Sequence, residues 1–320
     1  MTAPATPVTR TDVIPQVEVA PGRAKPRGRS WDRLVEGWLR GHTLLIYLFL
    51  YFPIVVVVVF SFNATTRRVT QWEGFSLRWY ESVLQDTVIQ AALANSFRVA
   101  LTTAILATLF GTMAALGLQR TPRWFRSIFE ALTFVSIIVP EIVIALSTLV
   151  FYSTSFDVIH EFFGVRWKLG YETIIAAHAL FNISLVMLLV RARLSGMDRT
   201  HVEASFDLYG TPWRTFWQIT FPQLLPAIVA GFLLSFTFSF DDYVITYFVS
   251  GAGTTTLPLY VFSTIRKGVT PATNAIAAVM LLITLTVLLV GQFLVWRNAR
   301  RSGQRGAQAS VAGMIAEQSG

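Results

Sequence analysis

The chain has 320 residues, of which 53% are hydrophobic and only 14% charged, with no cysteine and a formal net charge of +8. Soluble domains carry about 25% charged residues, so an ordinary water-soluble globule is excluded, and the lack of cysteine excludes disulfides, thiol catalysis and Cys-ligated metals. The excess of basic residues flanks apolar blocks and forms no stripe with interleaved aromatics, which argues against a nucleic-acid surface.

Residues 1–30 hold five prolines (Pro4, Pro7, Pro15, Pro21, Pro26), several Arg and no apolar run, so residues 1–42 are expected to be a disordered basic cytoplasmic tail. No short apolar region with a cleavage site precedes residue 43, so the first apolar block reads as an uncleaved anchor. Six blocks follow, near 43–62, 96–118, 128–151, 173–190, 224–248 and 275–296. Each approaches the roughly 20 residues that cross about 30 Å of hydrocarbon. The expected fold is an all-α membrane protein, with a six-helix domain over 43–296 and a flexible, basic cytoplasmic tail over 297–320. Placing both termini in the cytoplasm puts 18 Lys and Arg on the inside and 8 on the outside, the distribution that the positive-inside rule demands.

In the second block Ala104, Thr108, Gly111 and Ala115 form a small-residue face suited to close helix packing. In the third, Glu141 follows Pro140. The proline frees backbone carbonyls and kinks the helix, and the acid must face protein or water. Glu141 is a candidate for a transport pathway or for a structural role. In the fourth block His178 and Asn182 stand at i and i+4, and His178 reads as an interhelical hydrogen-bonder before it reads as a ligand.

Residues 199–222 form the core of the one cytoplasmic loop long enough to fold. Val202, Phe206 and Tyr209 recur at helical spacing. Gly210 can end that helix in the left-handed conformation, Thr211 can cap a second helix, and Pro212 suits its first position. The second helix sets Trp213, Phe216, Trp217 and Thr220 on one face, and Pro222 and Pro226 lead into the fifth block. Local physics allows this pair to lie on lipid headgroups.

The stretch "EASFDLYGTPWRTFWQITFP" resembles the EAA loop of binding-protein-dependent ABC importer permeases, the loop that docks in a groove of the ATPase subunit. Glu203, Ala204, Ser205, Asp207, Leu208, Ile219 and Pro222 fall on pattern positions, with two departures: Ser205 replaces the second alanine, and Tyr209 holds the family's glycine position, with Gly210 one residue later. "NSFRVALTTAILATLFGTMAALGLQR" resembles the start of the permease core. "SFDDYVITYFVSG" and "LPLYVFSTIRKGVTPATNA" resemble permeases of the spermidine/putrescine branch. The resemblance implies a type I importer permease fold in a bacterial inner membrane. It also implies a second homologous permease, a pair of ATPase subunits, an extracytoplasmic binding protein and a polyamine substrate. The phosphate-binding pattern G-x-x-x-x-G-K-[ST] is absent, so ATP and magnesium are expected on the ATPase and no cofactor on this chain.

Asp241 and Asp242 stand together in the fifth block, about 28 Å beyond Pro222 if the helix is regular, which places them toward the external side. A regular helix points neighbouring carboxylates about 100° apart, so both cannot face one ligand. Each is a candidate to cap or break the helix, to pair with Arg98, or to line a path for a cationic substrate. Tyr243 and Tyr247, at i and i+4, are the candidate cation–π faces. Rival readings are the same machine carrying an opine, an aminophosphonate, thiamine or another small cation or zwitterion, and a self-sufficient secondary transporter using the aspartates for ion coupling. A membrane enzyme lacks any acid/base or metal constellation in the loops.

Overall fold

The computed structural model describes residues 29–66, 71–198, 200–266 and 268–318. Twelve α-helices are assigned there: α1 Arg29–Phe60, α2 Arg78–Gln85, α3 Thr87–Gly117, α4 Arg123–Ile138, α5 Glu141–Phe163, α6 Tyr171–Ser195, α7 Thr200–Asp207, α8 Pro212–Thr215, α9 Phe221–Asp241, α10 Val244–Val249, α11 Leu257–Ile265 and α12 Pro271–Gln318. The isolated Asn63–Phe75 bridge is the one β pairing among the described residues. Six helical stretches are long and apolar enough to cross a membrane: Leu34–Phe60, Thr87–Arg120, Glu141–Phe163, Tyr171–Ser195, Pro212–Asp241 and Pro271–Phe293. Hydrocarbon offers no water to bond a free N–H or C=O, so helices are the form such blocks must take.

The chain divides into two units, residues 1–54 and 55–320. In the first, α1 already begins at Arg29, so residues 29–42, expected as tail, are helix; residues 1–28 lie outside the described residues. The pattern Leu34, Val35, Trp38, Leu39 carries helical spacing, an i,i+4 ion pair joins Arg40 to Glu36 at 2.6 Å, and Trp38 stacks on His42 at 5.3 Å.

The second unit is organised around α3, which takes part in every one of its apolar clusters. With α6 and α9 it forms one of Ala107, Ala115, Leu118, Val186, Met187, Val190 and Leu224. Ala100 and Ala104 meet Phe236 and Phe240 of α9. Val99 joins Ala145, Ile174, Ala177, Ile245 and Val249, and Ile89 and Ala92 join Val83, Leu257, Ala275 and Ile276. The small-residue face does the packing expected of it: a Cβ on Gly111 would stand 2.8 Å from Val186 Cβ and 2.9 Å from the Ile183 carbonyl oxygen, so α3 and α6 approach nearly backbone to backbone there.

Three boundaries correct the sequence reading. The third block is two helices, because α4 stops at Ile138 and Val139 and Pro140 are extended (ψ 131° and 135°) before α5 starts at Glu141. Pro140 therefore breaks the span where a kink was expected; a residue before proline is driven out of the helical region. The fifth block also breaks, at Asp242, whose ψ of 130° separates α9 from α10. Finally, α12 continues to Gln318, so residues 297–318, expected to be flexible, are helical; Ala, Arg and Gln are good helix formers.

At one end of the bundle Thr173 Oγ1 donates to the Val249 carbonyl (2.8 Å). Asn95 Nδ2 donates to the carbonyls of Gly253 (3.2 Å) and Thr255 (3.0 Å), and its Oδ1 accepts from the Tyr171 hydroxyl (2.5 Å). These bonds fasten the α10–α11 connection to α3 and α6. On the opposite side Arg191 pairs with Glu130 at 2.6 Å, joining α6 to α4.

Candidate functional sites

The first site is the loop between α6 and α9. At its start the Asp198 carboxylate accepts from Thr200 Oγ1 (2.6 Å) and Thr200 N–H (2.9 Å), which holds its pKa below the usual carboxylate value. Its stabilising effect is therefore present above the ordinary value and lost as the pH falls through the lowered one.

Helix α7 ends in a Schellman motif. The Gly210 N–H donates to the Ser205 carbonyl (2.8 Å) and the Tyr209 N–H to the Phe206 carbonyl (3.0 Å), the 6→1 and 5→2 pattern of that cap. The left-handed residue is Tyr209, with φ 61°, and not the expected Gly210. A side chain in this region costs about 1–2 kcal/mol. Gly210 serves a different need: a Cβ there would stand 2.5 Å from Ser205 Oγ and 2.6 Å from the Ser205 carbonyl oxygen, so the chain can fold back on α7 only without one. Thus the turn follows the register of the family pattern, with tyrosine in the glycine position.

The second helix starts as expected. Thr211 is its N-cap, accepting from the Arg214 N–H (3.4 Å), and Pro212 is at its first turn. Ser205 Oγ and the buried Thr215 Oγ1 hydrogen-bond at 2.8 Å, locking α7 to α8, so the serine that departs from the pattern ties the knob together. Sequence reading missed Thr215; its spacing from Ser205 gave no signal without the turn geometry. Residues Phe216–Thr220 form a π turn and the helix runs on through Pro222 into α9. A proline ring clashes with the carbonyl four residues back, and the wider π turn accommodates it. Trp217 packs on Phe221 (4.8 Å between centroids) and edge-on to Trp213 (5.7 Å). Glu203, Ala204 and Asp207 are exposed, as are Leu208 at 82%, Tyr209 at 97% and Trp213 at 72%; Ser205, Gly210 and Ile219 are half-buried.

The second site lies where two broken helices meet. Glu141 opens α5 just after one break, and Asp242 sits in the other. Both line one narrow pocket with His178, Asn182, Ser239, Phe181, Phe238 and Ile245. Asp242 is buried and fully engaged: Oδ1 accepts from the Ile245 N–H (3.3 Å), and Oδ2 from the Thr246 N–H (2.8 Å) and Thr246 Oγ1 (2.7 Å). His178 Nε2 stands 2.9 Å from the same oxygen, while Nδ1 meets Ser239 Oγ at 2.7 Å. Asp242 thus caps α10 and His178 ties it to α6, which fulfils the reading of His178 as an interhelical bonder. Asn182 Nδ2 donates to the His178 carbonyl (2.9 Å), and its buried Oδ1 has no hydrogen-bond partner among the described residues. Ser239 and Thr246 were missed from sequence. Thr246, four residues after Asp242, completes a capping pattern inside an apolar run, which was the available signal.

Asp241, by contrast, is exposed at the end of α9. Neither aspartate pairs with Arg98, whose guanidinium lies 5.1 Å from the centroid of the Tyr171 ring instead. The two aspartates differ as the geometry requires, one on the last helical residue and one in extended backbone. Tyr243 stacks on Phe262 at 3.9 Å and lies 5.6 Å from Tyr247. The Arg266 guanidinium stands 5.9 Å from the Tyr247 ring, so one cation–π face is met by the chain's own cation.

Comparison with known proteins fits this geometry. Residues 107–303 match the family described as binding-protein-dependent transport system inner membrane component. The chain is 39% identical over 239 residues to the putrescine transport system permease protein PotI of Escherichia coli (strain K12), covering 74% of this chain and 83% of that one. It is 36% identical over 255 residues to the spermidine/putrescine transport system permease protein PotC of Haemophilus influenzae, covering 79% and 95%. Among solved structures, a subunit of a bacterial ABC transporter that imports the acidic polysaccharide alginate superposes with a TM-score of 0.68 at 12% identity, over 84% of this chain and 99% of that one.

Proposed function

The chain belongs to the family of binding-protein-dependent transport system inner membrane components, and from that premise we propose that it forms half of the translocation path of an ATP-driven importer of putrescine and spermidine. It is a multi-pass membrane permease subunit of an ABC importer. In this reading it works in a bacterial inner membrane with both termini in the cytoplasm, beside a second homologous permease, two ATPase subunits and an extracytoplasmic binding protein. ATP and magnesium belong to the ATPase.

The observation that carries the mechanism is continuity. The exposed knob and the acidic break are the two ends of one uninterrupted helical stretch, Pro212–Asp241. ATP binding draws the knobs of the two permeases together through Glu203, Ala204, Ser205, Asp207, Leu208, Gly210, Ile219 and Pro222. The movement reaches the break and opens the path outward to accept cargo. Asp241 offers its carboxylate to an ammonium group, Glu141 supplies a second, and Tyr243 and Tyr247 flank the route. Asp242, held by His178, sets the shape of the break and adds negative field close by.

The cargo assignment rests on the named relatives, and paired carboxylates suit any small cation. Uptake of labelled putrescine and spermidine tests it, in cells lacking the chain and then complemented, with the cognate subunits present. Saturable, ATP-dependent polyamine uptake that requires the chain is expected. Uptake that prefers another cation or zwitterion among unlabelled competitors would keep the machine and replace the cargo.

A further inference from the structure

Tyr209 is held against its own conformational preference. Its φ of 61° lies in the region that glycine occupies at the end of a helix, yet the side chain is 97% exposed. Its ring and hydroxyl make no hydrogen bond or ring contact, so nothing among the described residues repays the strain. Strained residues persist where the surroundings over-determine them, and they cluster at functional contacts. Here the surroundings are the two cap bonds from Tyr209 and Gly210 and the Ser205–Thr215 bond. Together they fix the turn and hold the ring clear of both knob helices. Around it the surface is apolar at Leu208 and Trp213 and acidic at Glu203 and Asp207, and neither acid has an ion pair among the described residues. An exposed aromatic on a rigid turn, beside apolar neighbours and unpaired acids, has the form of an interface anchor.

Resting on the reading of this loop as the coupling element, we propose that Tyr209 is the anchor by which the knob seats in the partner ATPase, in an apolar pocket rimmed by basic residues that answer Glu203 and Asp207. The site is then more than a generic knob. Its glycine position has been given a side chain that the turn presents outward, and the matching pocket selects this permease's own ATPase.

The chain has no cysteine, so Tyr209→Cys introduces a unique thiol. In membranes holding the chain without its ATPase, a maleimide should label it readily. In membranes holding the whole transporter, labelling should fall about tenfold or more, as for a group at the centre of an interface. Tyr209→Gly removes ring and strain together. It should leave the thermal midpoint of the permease unchanged or raised, while ATPase retained on purification and coupled uptake fall about tenfold or more; Tyr209→Phe should keep both. Equal labelling in both membranes, or a Tyr209→Gly transporter that retains its ATPase and transports normally, overturns the anchor. Glu203→Lys separates the two levels. If it abolishes ATPase retention while Tyr209→Gly does not, the anchor alone fails; if neither variant affects retention, the coupling reading of the loop fails with it.

Discussion

The knob and the broken-helix pocket treat their polar and aromatic groups in opposite ways. At the pocket Asp242 has His178, Ile245 and Thr246 as partners, all within the chain. At the knob Glu203, Asp207, Leu208, Tyr209 and Trp213 are turned outward, and the internal bonds are spent on the turn that carries them. The difference separates two kinds of working residue. Groups satisfied inside the fold set a geometry, and groups left open await something that arrives.

Substitutions can break this distinction. The largest stability effect is expected at Asp242→Ala, which strips His178 Nε2 and the start of α10 of their common acceptor. A buried donor left without its acceptor costs about 1–3 kcal/mol, and several lose theirs at once, so the variant should accumulate poorly and melt early in a thermal-shift assay of solubilised protein. A variant that stays stable but loses transport would instead put Asp242 among the cargo ligands. Next comes Glu203→Lys, which should abolish uptake while leaving the amount and melting of the membrane-inserted chain unchanged; a stability defect would mean that the knob is not open after all. Asp241→Asn should fold normally and raise the half-saturating concentration for a diamine about tenfold, the loss of roughly one charge-assisted contact. Unchanged uptake kinetics would remove Asp241 from the path. The smallest effect is expected at Ser205→Ala, where one hydrogen bond between the knob helices is lost. It should cost about 1 kcal/mol, read as faster amide exchange in 200–215, with no change at 242–249.

Much of this organisation was legible beforehand. Hydropathy located six spans because each apolar block is long enough to dominate its own window, and the cap at Thr211 with Pro212 was readable because both act through local chemistry. The breaks at 139–140 and 242 were hidden for the same reason that the spans were visible: an apolar average does not fall when two or three residues leave the helix. Pro140 marked one break but not its extent. At 242 the acid alone could be read as a ligand or a cap, and of the partners that decide, Thr246 is 4 residues away in sequence but His178 is 64 away. The start of α1 was missed because Arg, Asp and Glu alternate with its leading apolar residues, and a tail and an amphipathic first turn share that composition. Tyr209 misled in a narrower way. Glycine is the usual occupant of a left-handed position, and with Gly210 next to it the sequence pointed one residue too far.

The π turn at Phe216–Thr220 has a consequence of its own. From Pro212 to Asp241 the backbone is one helical stretch of 30 residues, roughly 45 Å long at 1.5 Å per residue. No slack linker separates its ends, so their relative orientation is set by how many residues the stretch contains and how they are wound. A π turn holds one residue more than the α-helical path it replaces. Deleting a residue there would rotate Asp241 by about 100° relative to Tyr209 while leaving both ends chemically intact. Five residues near the start of the stretch therefore set the phase between the turn at Tyr209 and the break at Asp242.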